Sequence, residues 1–268
     1  MRRTPRQPEA WLVILGSISL AAWSVLALDG HEVTLPAFCS AGTPWAVPPS
    51  VSFDLALVFG SPTRIASGWA LMLAAMMFPL LMAPLRHLRD RSFARRRSWA
   101  MLLFVCGYAA AWMGAGVGLQ AMALAARSGV LPPRVCLGLA AATAVGWQVS
   151  PAKQWCLNRC HRRPHLAAFG AAADRDAFEF GLTHGAACVG ACWALMLLTL
   201  FVGNGHVPWM IAITLFIFAE RLESPAPLVW RWRGPGKALR IATAQARMRL
   251  APRNCSGAAS IQYLPHPR

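Results

Sequence analysis

The sequence is short of charged residues, and especially of acidic ones. Charged residues make up only 13% of the 268-residue chain, and just 10 residues are Asp or Glu. An ordinary soluble domain carries charge on about a quarter of its residues. Because 56% of the residues are hydrophobic, the composition indicates a membrane protein, and the length of its apolar runs favours an all-α, polytopic bundle.

The shortage of carboxylates also limits the chemistry. We find no paired carboxylates, no glycine-rich nucleotide-binding loop and no Ser-His-Asp arrangement, so nothing indicates an ATPase or a hydrolase and we assign no catalytic residue. The formal net charge of +16 does not predict nucleic acid binding, because the basic residues cluster between apolar segments as cytoplasmic loops do. The lipid bilayer is the partner that this pattern favours.

Six stretches are long and apolar enough to be transmembrane helices, which need about twenty residues. They lie near Trp11 to Leu28, Ile65 to Leu85, Trp99 to Ala126, Arg134 to Val149 or somewhat further, Gly181 to Val202, and Val207 to Glu220. Pro79 and Pro84 should kink the second stretch. In the third, Ala110, Gly114 and Gly118 form a small-residue face that predicts close helix packing.

The loop charges predict the orientation of the bundle. Of the 26 basic residues, 23 lie in the N-terminal segment, the second and fourth loops and the chain after Glu220, which leaves Arg64, Arg127 and Arg134 for the other side. Both termini are therefore expected in the cytoplasm of a bacterium, with the chain crossing the inner membrane several times. The first stretch is interpreted as a retained anchor, because it is long and lacks a small-x-small cleavage site.

This topology divides the chain into three parts. Residues 1–64 hold the anchor helix and an outer proline-rich loop from Asp29 to Arg64 that contains Cys39. Residues 65–223 form a metal-binding helical core. Residues 224–268 form a basic cytoplasmic tail, in which Gly236 to Leu250 alternates basic and apolar residues as an interfacial helix on an anionic leaflet does.

One helical stripe carries most of the candidate chemistry. His184, Cys188, Cys192 and Met196 recur every four residues, which places them within an arc of roughly 120° on one helix face. A second pair, Cys156 and Cys160, precedes the stripe. Two thiolates at this spacing can share one ion, and this cysteine-rich motif therefore predicts a metal site.

Methionines sharpen the identity of the ion. Met72 and Met76 share one face of the second stretch, and Met76 and Cys192 both fall at about 16 Å depth, near the midplane. Thiolate and thioether ligands favour soft metals, so Cu(I) is the favoured ion and zinc remains open. The predicted metal ligands are His184, Cys188, Cys192, Cys156, Cys160, Met72, Met76 and Met196.

The expected depths of the cysteines in the membrane leave open whether the chain has one metal site or two. If the fourth helix starts at Arg134, Cys156 lies about 33 Å along it, at the cytoplasmic surface, whereas Cys188 lies roughly 10 Å inside. The two cysteine pairs meet only if that helix starts later and runs past Pro151, or if Lys153 to His165 dips back into a protein-lined cavity. Otherwise the chain holds two separate stations.

Several short motifs together resemble a bacterial domain of unknown function, the predicted metal-binding integral membrane proteins. The resemblance spans about Trp69 to Glu223 and implies a membrane-bound metal-binding protein. It is carried by Trp69 to Met72, Ala75 to Pro79, Trp147-Gln148, Pro151, Lys153, Cys156-Leu157, Cys160, Gly181, His184-Gly185, Cys188 to Gly190, Cys192 to Met196, Trp209-Met210 and Glu220-Arg221.

The chain departs from that family pattern at three places. Ala191 stands where the family commonly has a further cysteine, Ala187 replaces an aromatic residue, and Asn204 to His206 takes the place of a usual Met-Asn. The loss of one thiol leaves enough ligands for a metal ion.

Three functional hypotheses follow. The first is a protein that handles Cu(I) by delivery, sequestration or transfer across the membrane, with a metal donor or acceptor protein as partner. The second is a membrane thiol oxidoreductase, although the predicted topology places only Cys39 outside. The third is an assembly or scaffold subunit whose cysteines are structural. The direction of transfer and the oligomeric state stay open.

Overall fold

The computed structural model describes residues 10–29, 62–128, 131–202, 206–232, 234 and 236–250. Within these ranges the chain contains helices and irregular connections but no β-strand, so the all-α prediction is confirmed for them. Two short 3-10 helices, Phe78–Leu81 and Ala94–Arg96, accompany nine α-helices in this described part. The α-helices are α1 Ala10–Asp29, α2 Pro62–Met77, α3 Met82–Arg91, α4 Arg97–Ser128, α5 Pro133–Val149, α6 Pro151–Cys160, α7 Gly170–Phe201, α8 His206–Leu222 and α9 Gly236–Leu250.

The most extensive helix contact joins the two longest helices, α4 and α7. Glycines on α7 make the close approach possible, because a Cβ at Gly181 would overlap the backbone of Phe104 and one at Gly185 would come within 2.8 Å of Ala111 Cβ. Gly107 on α4 also permits this approach, because a Cβ there would overlap the Phe178 carbonyl. Small residues allow two helix backbones to approach in this way in lipid as well as in water.

The face of α4 that the sequence marked for packing is not the one used. A Cβ on Gly114 or Gly118 would meet nothing within 4 Å, and Ala110 is exposed. The prediction of a packing face at these residues is therefore wrong within the described chain. The reason is that α7 supplies its own glycines, which seat against Phe104 and Tyr108 on a neighbouring face of α4.

The predicted kink at Pro79 falls where the regular α-helix is interrupted, whereas Pro84 lies within α3. The helix α2 ends at Met77, and Phe78–Leu81 continues as a 3-10 turn before α3 begins. Proline has no N–H to donate, so the regular α-helical bonding cannot pass through it. The Ser19 hydroxyl donates to the Ala75 carbonyl at 2.8 Å and holds α1 against α2 just before this break.

Four helical stretches in the described residues are long and apolar enough to cross a membrane: Trp11–Leu28, Ala66–Arg91, Ala94–Ala126 and Gly170–Phe201. A fifth is possible if α5 and α6 count as one broken span. The predicted sixth stretch forms α8, whose 17 residues are fewer than the roughly twenty that a perpendicular span needs. The count of six spans thus stays a prediction.

A bend of 66° separates α5 from α6. Ser150 is extended at the junction and its hydroxyl caps α6 by accepting from Lys153 N at 3.1 Å, while Pro151 occupies the first turn. Such a cap followed by proline is a standard helix start. The helix α6 then packs against α7 instead of continuing along α5.

The predicted helix from Gly236 to Leu250 is confirmed as α9, with the same bounds. Its side chains are largely exposed, including Leu239 and Met248. Cys39 and most of the proline-rich loop lie outside the described residues, as do Asn204 and Gly205 and the chain beyond residue 250.

We expect Gly181→Leu to destabilise the fold by about 1–3 kcal/mol, because the added side chain would force α7 away from α4. Thermal unfolding of the detergent-solubilised protein should show a melting temperature several degrees lower. The matched control is Gly114→Leu on the open face, which should leave the melting temperature unchanged. Equal melting temperatures for the two variants would contradict the packing described.

Candidate metal centre

The stripe on α7 faces the protein interior. His184, Cys188, Cys192 and Met196 are all buried, and the two cysteines are each 1% exposed. The helix α7 runs without a break from Gly170 to Phe201, so the four-residue spacing keeps these side chains on one face. Cys188, Cys192 and Met196 belong to the main buried cluster of the protein.

The Cys188 sulfur accepts a hydrogen bond from α4. The Tyr108 hydroxyl donates to Cys188 Sγ at 3.3 Å, whereas the Trp112 indole N–H, one turn further along α4, is buried without a partner. The Cys192 thiol donates to the Cys188 carbonyl at 2.9 Å. A hydrogen bond to sulfur stabilises a thiolate more than a neutral thiol.

His184 has a free ring nitrogen in an apolar pocket. Its Nδ1 is buried without a hydrogen-bond partner. The rings of Phe104, Tyr108 and Phe180 surround the imidazole, with centroid distances of 6.0 to 6.2 Å. A buried polar atom left without a partner costs about 1–3 kcal/mol. An imidazole nitrogen one helical turn from a thiol pair fits a soft metal ion, whose binding would remove this cost.

Cys156 does not join the Cys188 and Cys192 pair. Its Sγ lies against Gly190, at a position where a Cβ would overlap the sulfur. Gly190 stands two residues from each cysteine of the pair and so lies about 180° from them around α7. Although the fold of α6 against α7 brings Cys156 close to this helix, it lies on the opposite side.

Cys160 sits elsewhere, at the C-terminal end of α6. It lies beside the Arg221 guanidinium, which also approaches Cys188. The structure therefore separates the two predicted cysteine pairs.

The predicted methionines are buried in the same core. Met72 and Met76 on α2 are at most 2% exposed, and Met196 is fully buried. They belong to the same apolar cluster as Cys188 and Cys192. Within the part of the chain that the structure describes, no three His, Cys, Asp or Glu side chains converge in a metal-binding geometry. The compact element of the predicted set is therefore the cysteine pair with His184 one turn away.

A buried polar network lies next to this region and was not predicted. Lys153 on α6 pairs with Glu220 on α8, with Nζ 2.8 Å from both carboxylate oxygens. The Gln148 side chain hydrogen-bonds to both charged groups, donating to Glu220 and accepting from Lys153. The carboxylate is taken by Lys153 and not by the neighbouring Arg221, because adjacent residues on a helix point in different directions.

Two residues beside the thiols were also missed. Tyr108 and Trp112 lie one turn apart on α4, where they read as ordinary apolar helix residues. Tyr108 is one of only two tyrosines in the chain, and a polar hydroxyl in an otherwise apolar stretch was the signal that could have identified it.

Comparison with known proteins places this geometry in context. The family model PpoB2, described as a copper chaperone, matches residues 66–242. That range contains every predicted metal ligand and covers well over half of the chain. Copper handling, the general form of the first hypothesis, is thereby confirmed. Neither the curated proteins nor the solved structures contain a significant match.

We expect Lys153→Met to cost about 3–5 kcal/mol of stability, because it leaves the Glu220 carboxylate buried without its partner. The double variant Lys153→Met with Glu220→Met should lose much less, since no uncompensated charge remains. Thermal unfolding in detergent measures both.

The control for that series is Arg175→Gln in the exposed pair Arg175–Glu179, where solvent screens the charges and the melting temperature should stay unchanged. A double variant as unstable as the single one would show that the network matters for packing and not for charge.

Proposed function

The chain belongs to the PpoB2 family of copper chaperones, and from this premise we propose that it is an inner-membrane protein that receives Cu(I) on the Cys188 and Cys192 thiolates. His184, one helical turn before the pair, is a further candidate donor, although the three side chains do not converge in the described residues. The ion is cargo, and the protein passes it on to an acceptor protein. No redox step is needed, because transfer exchanges one set of soft ligands for another.

The observation that carries this proposal is the buried donor set on α7. Two thiols lie one helical turn apart, the Tyr108 hydroxyl donates to one of them, and an imidazole nitrogen without a partner lies one turn before them. Sulfur donors select soft ions over Mg²⁺ or Ca²⁺. Binding would release the two thiol protons and form a dithiolate complex of Cu(I) with a net charge of −1.

The same donor set favours copper over zinc. Structural zinc sites are almost always four-coordinate, with all ligands from the protein. In the described residues three such groups do not converge, whereas a thiolate pair is a sufficient core for a soft monovalent ion. The thioethers of Met72, Met76 and Met196 would add weak, exchangeable ligands within the same apolar core.

Cys156 and Cys160 form a second station in this proposal. They lie on α6, on the side where the loop charges place the cytoplasm. A cytosolic donor would load this pair, and the ion would pass by thiolate exchange to Cys188 and Cys192. Separate stations suit a chaperone, because stepwise exchange avoids releasing free Cu(I).

Membrane insertion is supported by the four apolar helices and the bent pair. Large apolar side chains such as Leu20, Val117 and Leu215 are exposed on the outside of the helices, where lipid would cover them. The positive-inside charge distribution favours cytoplasmic termini, with α8 as a sixth crossing. The basic and apolar residues of α9 suit the anionic cytoplasmic leaflet.

Copper content tests the proposed site. Protein purified from copper-supplemented cells should contain about one Cu(I) per chain, and the double variant Cys188→Ser with Cys192→Ser should contain almost none. Cys106→Ser is the control, because this cysteine is exposed and distant in sequence from the stripe. Unchanged copper stoichiometry in the double variant would overturn the proposal. Thiol trapping of a Cys188–Cys192 disulfide during turnover would favour the oxidoreductase hypothesis instead.

Reporter fusions test the orientation. A green fluorescent protein fused after residue 268 should fluoresce, because it stays in the cytoplasm, whereas alkaline phosphatase at the same position should be inactive. Alkaline phosphatase fused after residue 130, in the connection between α4 and α5, should be active. The reverse pattern would show that the charge distribution had been misinterpreted.

A further inference from the structure

Arg221 carries a partly buried positive charge at the end of α8. Its Nε and Nη2 are closed off from solvent and have no hydrogen-bond acceptor in the protein. Arginine stays charged in proteins, so it cannot escape this situation by losing a proton. Two buried donors of a charged group without an acceptor are costly, and they point to a partner that the polypeptide alone does not supply.

The neighbouring carboxylate is not that partner. Glu220 is already neutralised by Lys153, whose Nζ lies 2.8 Å from both of its oxygens, and Gln148 adds a further hydrogen bond. The Lys153–Glu220 pair is therefore neutral as a unit. Glu220 therefore does not neutralise the charge of Arg221, which lies at the C-terminal end of α8.

The guanidinium faces the thiols. It lies within electrostatic range of Cys188, Cys160 and Cys192, and of the Tyr108 hydroxyl. The backbone holds it there, because the His161 ring, at the end of α6, contacts the Arg221 carbonyl at 3.2 Å. This contact ties the end of α6 to the end of α8.

When both cysteines bind an ion as thiolates, the charges balance if that ion is monovalent. Two thiolates with Cu(I) carry −1, and Arg221 brings the total to zero. Two thiolates with Zn²⁺ are neutral, so the arginine leaves a charge of +1. In a medium of low effective dielectric this difference is large enough to select between the two ions.

We infer that Arg221 is the counter-charge of the copper dithiolate and makes the site selective for monovalent over divalent soft ions. This rests on the proposed Cys188 and Cys192 site and adds a positioning residue that does not itself bind the metal. Its role is electrostatic, so it should act on the ratio of two metal affinities more than on either affinity alone.

The experiment measures Cu(I) and Zn²⁺ affinities of the full-length, detergent-solubilised protein by competition with chromophoric chelators under anaerobic, reducing conditions. Arg221→Met should weaken Cu(I) binding on the order of tenfold or more, and Zn²⁺ binding should stay the same or tighten. Arg221→Lys keeps the charge and should hold the Cu(I) to Zn²⁺ ratio within a few fold of wild type. Arg162→Gln removes an exposed charge and should change neither affinity.

Folding is monitored in the same samples. Because Arg221→Met removes a partly buried, uncompensated charge, the metal-free variant should melt no lower than wild type, while the rise in melting temperature on Cu(I) addition should shrink. If Arg221→Met does not fold, Arg221→Gln replaces it. A loss of both affinities by the same factor would show a merely structural role and overturn the inference, as would an unchanged ratio.

Failure of the inference is distinguishable from failure of the proposed function. If wild-type protein binds Cu(I) through Cys188 and Cys192 but the Arg221 variants keep its metal preference, only the inference is wrong. If the cysteine double variant binds Cu(I) as well as wild type, the proposed site itself is wrong.

Discussion

The close packing of α4 on α7 is the constraint on which the rest of the structure depends. Gly181 and Gly185 let the backbone of α7 approach Phe104 and Tyr108 so closely that a Cβ would collide. This contact places the Tyr108 hydroxyl 3.3 Å from Cys188 Sγ and encloses the His184 ring between aromatic side chains. Gly181 and Gly185 are therefore needed for the surroundings of the cysteines, because without them the aromatic residues of α4 could not reach the thiols.

Charged side chains from α6 and α8 also lie near the cysteines. The bend after Val149 turns α6 against α7, and Lys153 then reaches Glu220 on α8. Because that pair is neutral, the next residue, Arg221, contributes its charge to the surroundings of the thiols. A copper chaperone needs a site that is stable when loaded and still able to release its ion. Charge compensation from outside the ligand set can provide this, since it stabilises the complex without adding a bond that must break.

The positions of individual helices were largely predictable, because each depends on the sequence pattern of that helix alone. Apolar length marked the main helices, Pro79 marked the break after Met77, and the alternation from Gly236 to Leu250 marked α9 with its observed bounds. The packing face on α4 was mispredicted, because small residues at four-residue spacing show that a close approach is possible but not which face the partner uses. The number of spans was not determined either, since α8 is 17 residues long and α5 to α6 is bent.

The sequence by itself determined that His184, Cys188, Cys192 and Met196 share a face, because helical periodicity is a local property. It also predicted a soft-metal function from residue type, which agrees with the copper chaperone family that the chain belongs to. Only the tertiary structure decided that Cys156 lies across α7 from this face, that Lys153 takes the carboxylate of Glu220, and that Arg221 is left with the thiols as its neighbours. The physical reason is that burial and charge pairing depend on contacts between helices distant in sequence, and no local pattern specifies which of several available partners a buried group will meet.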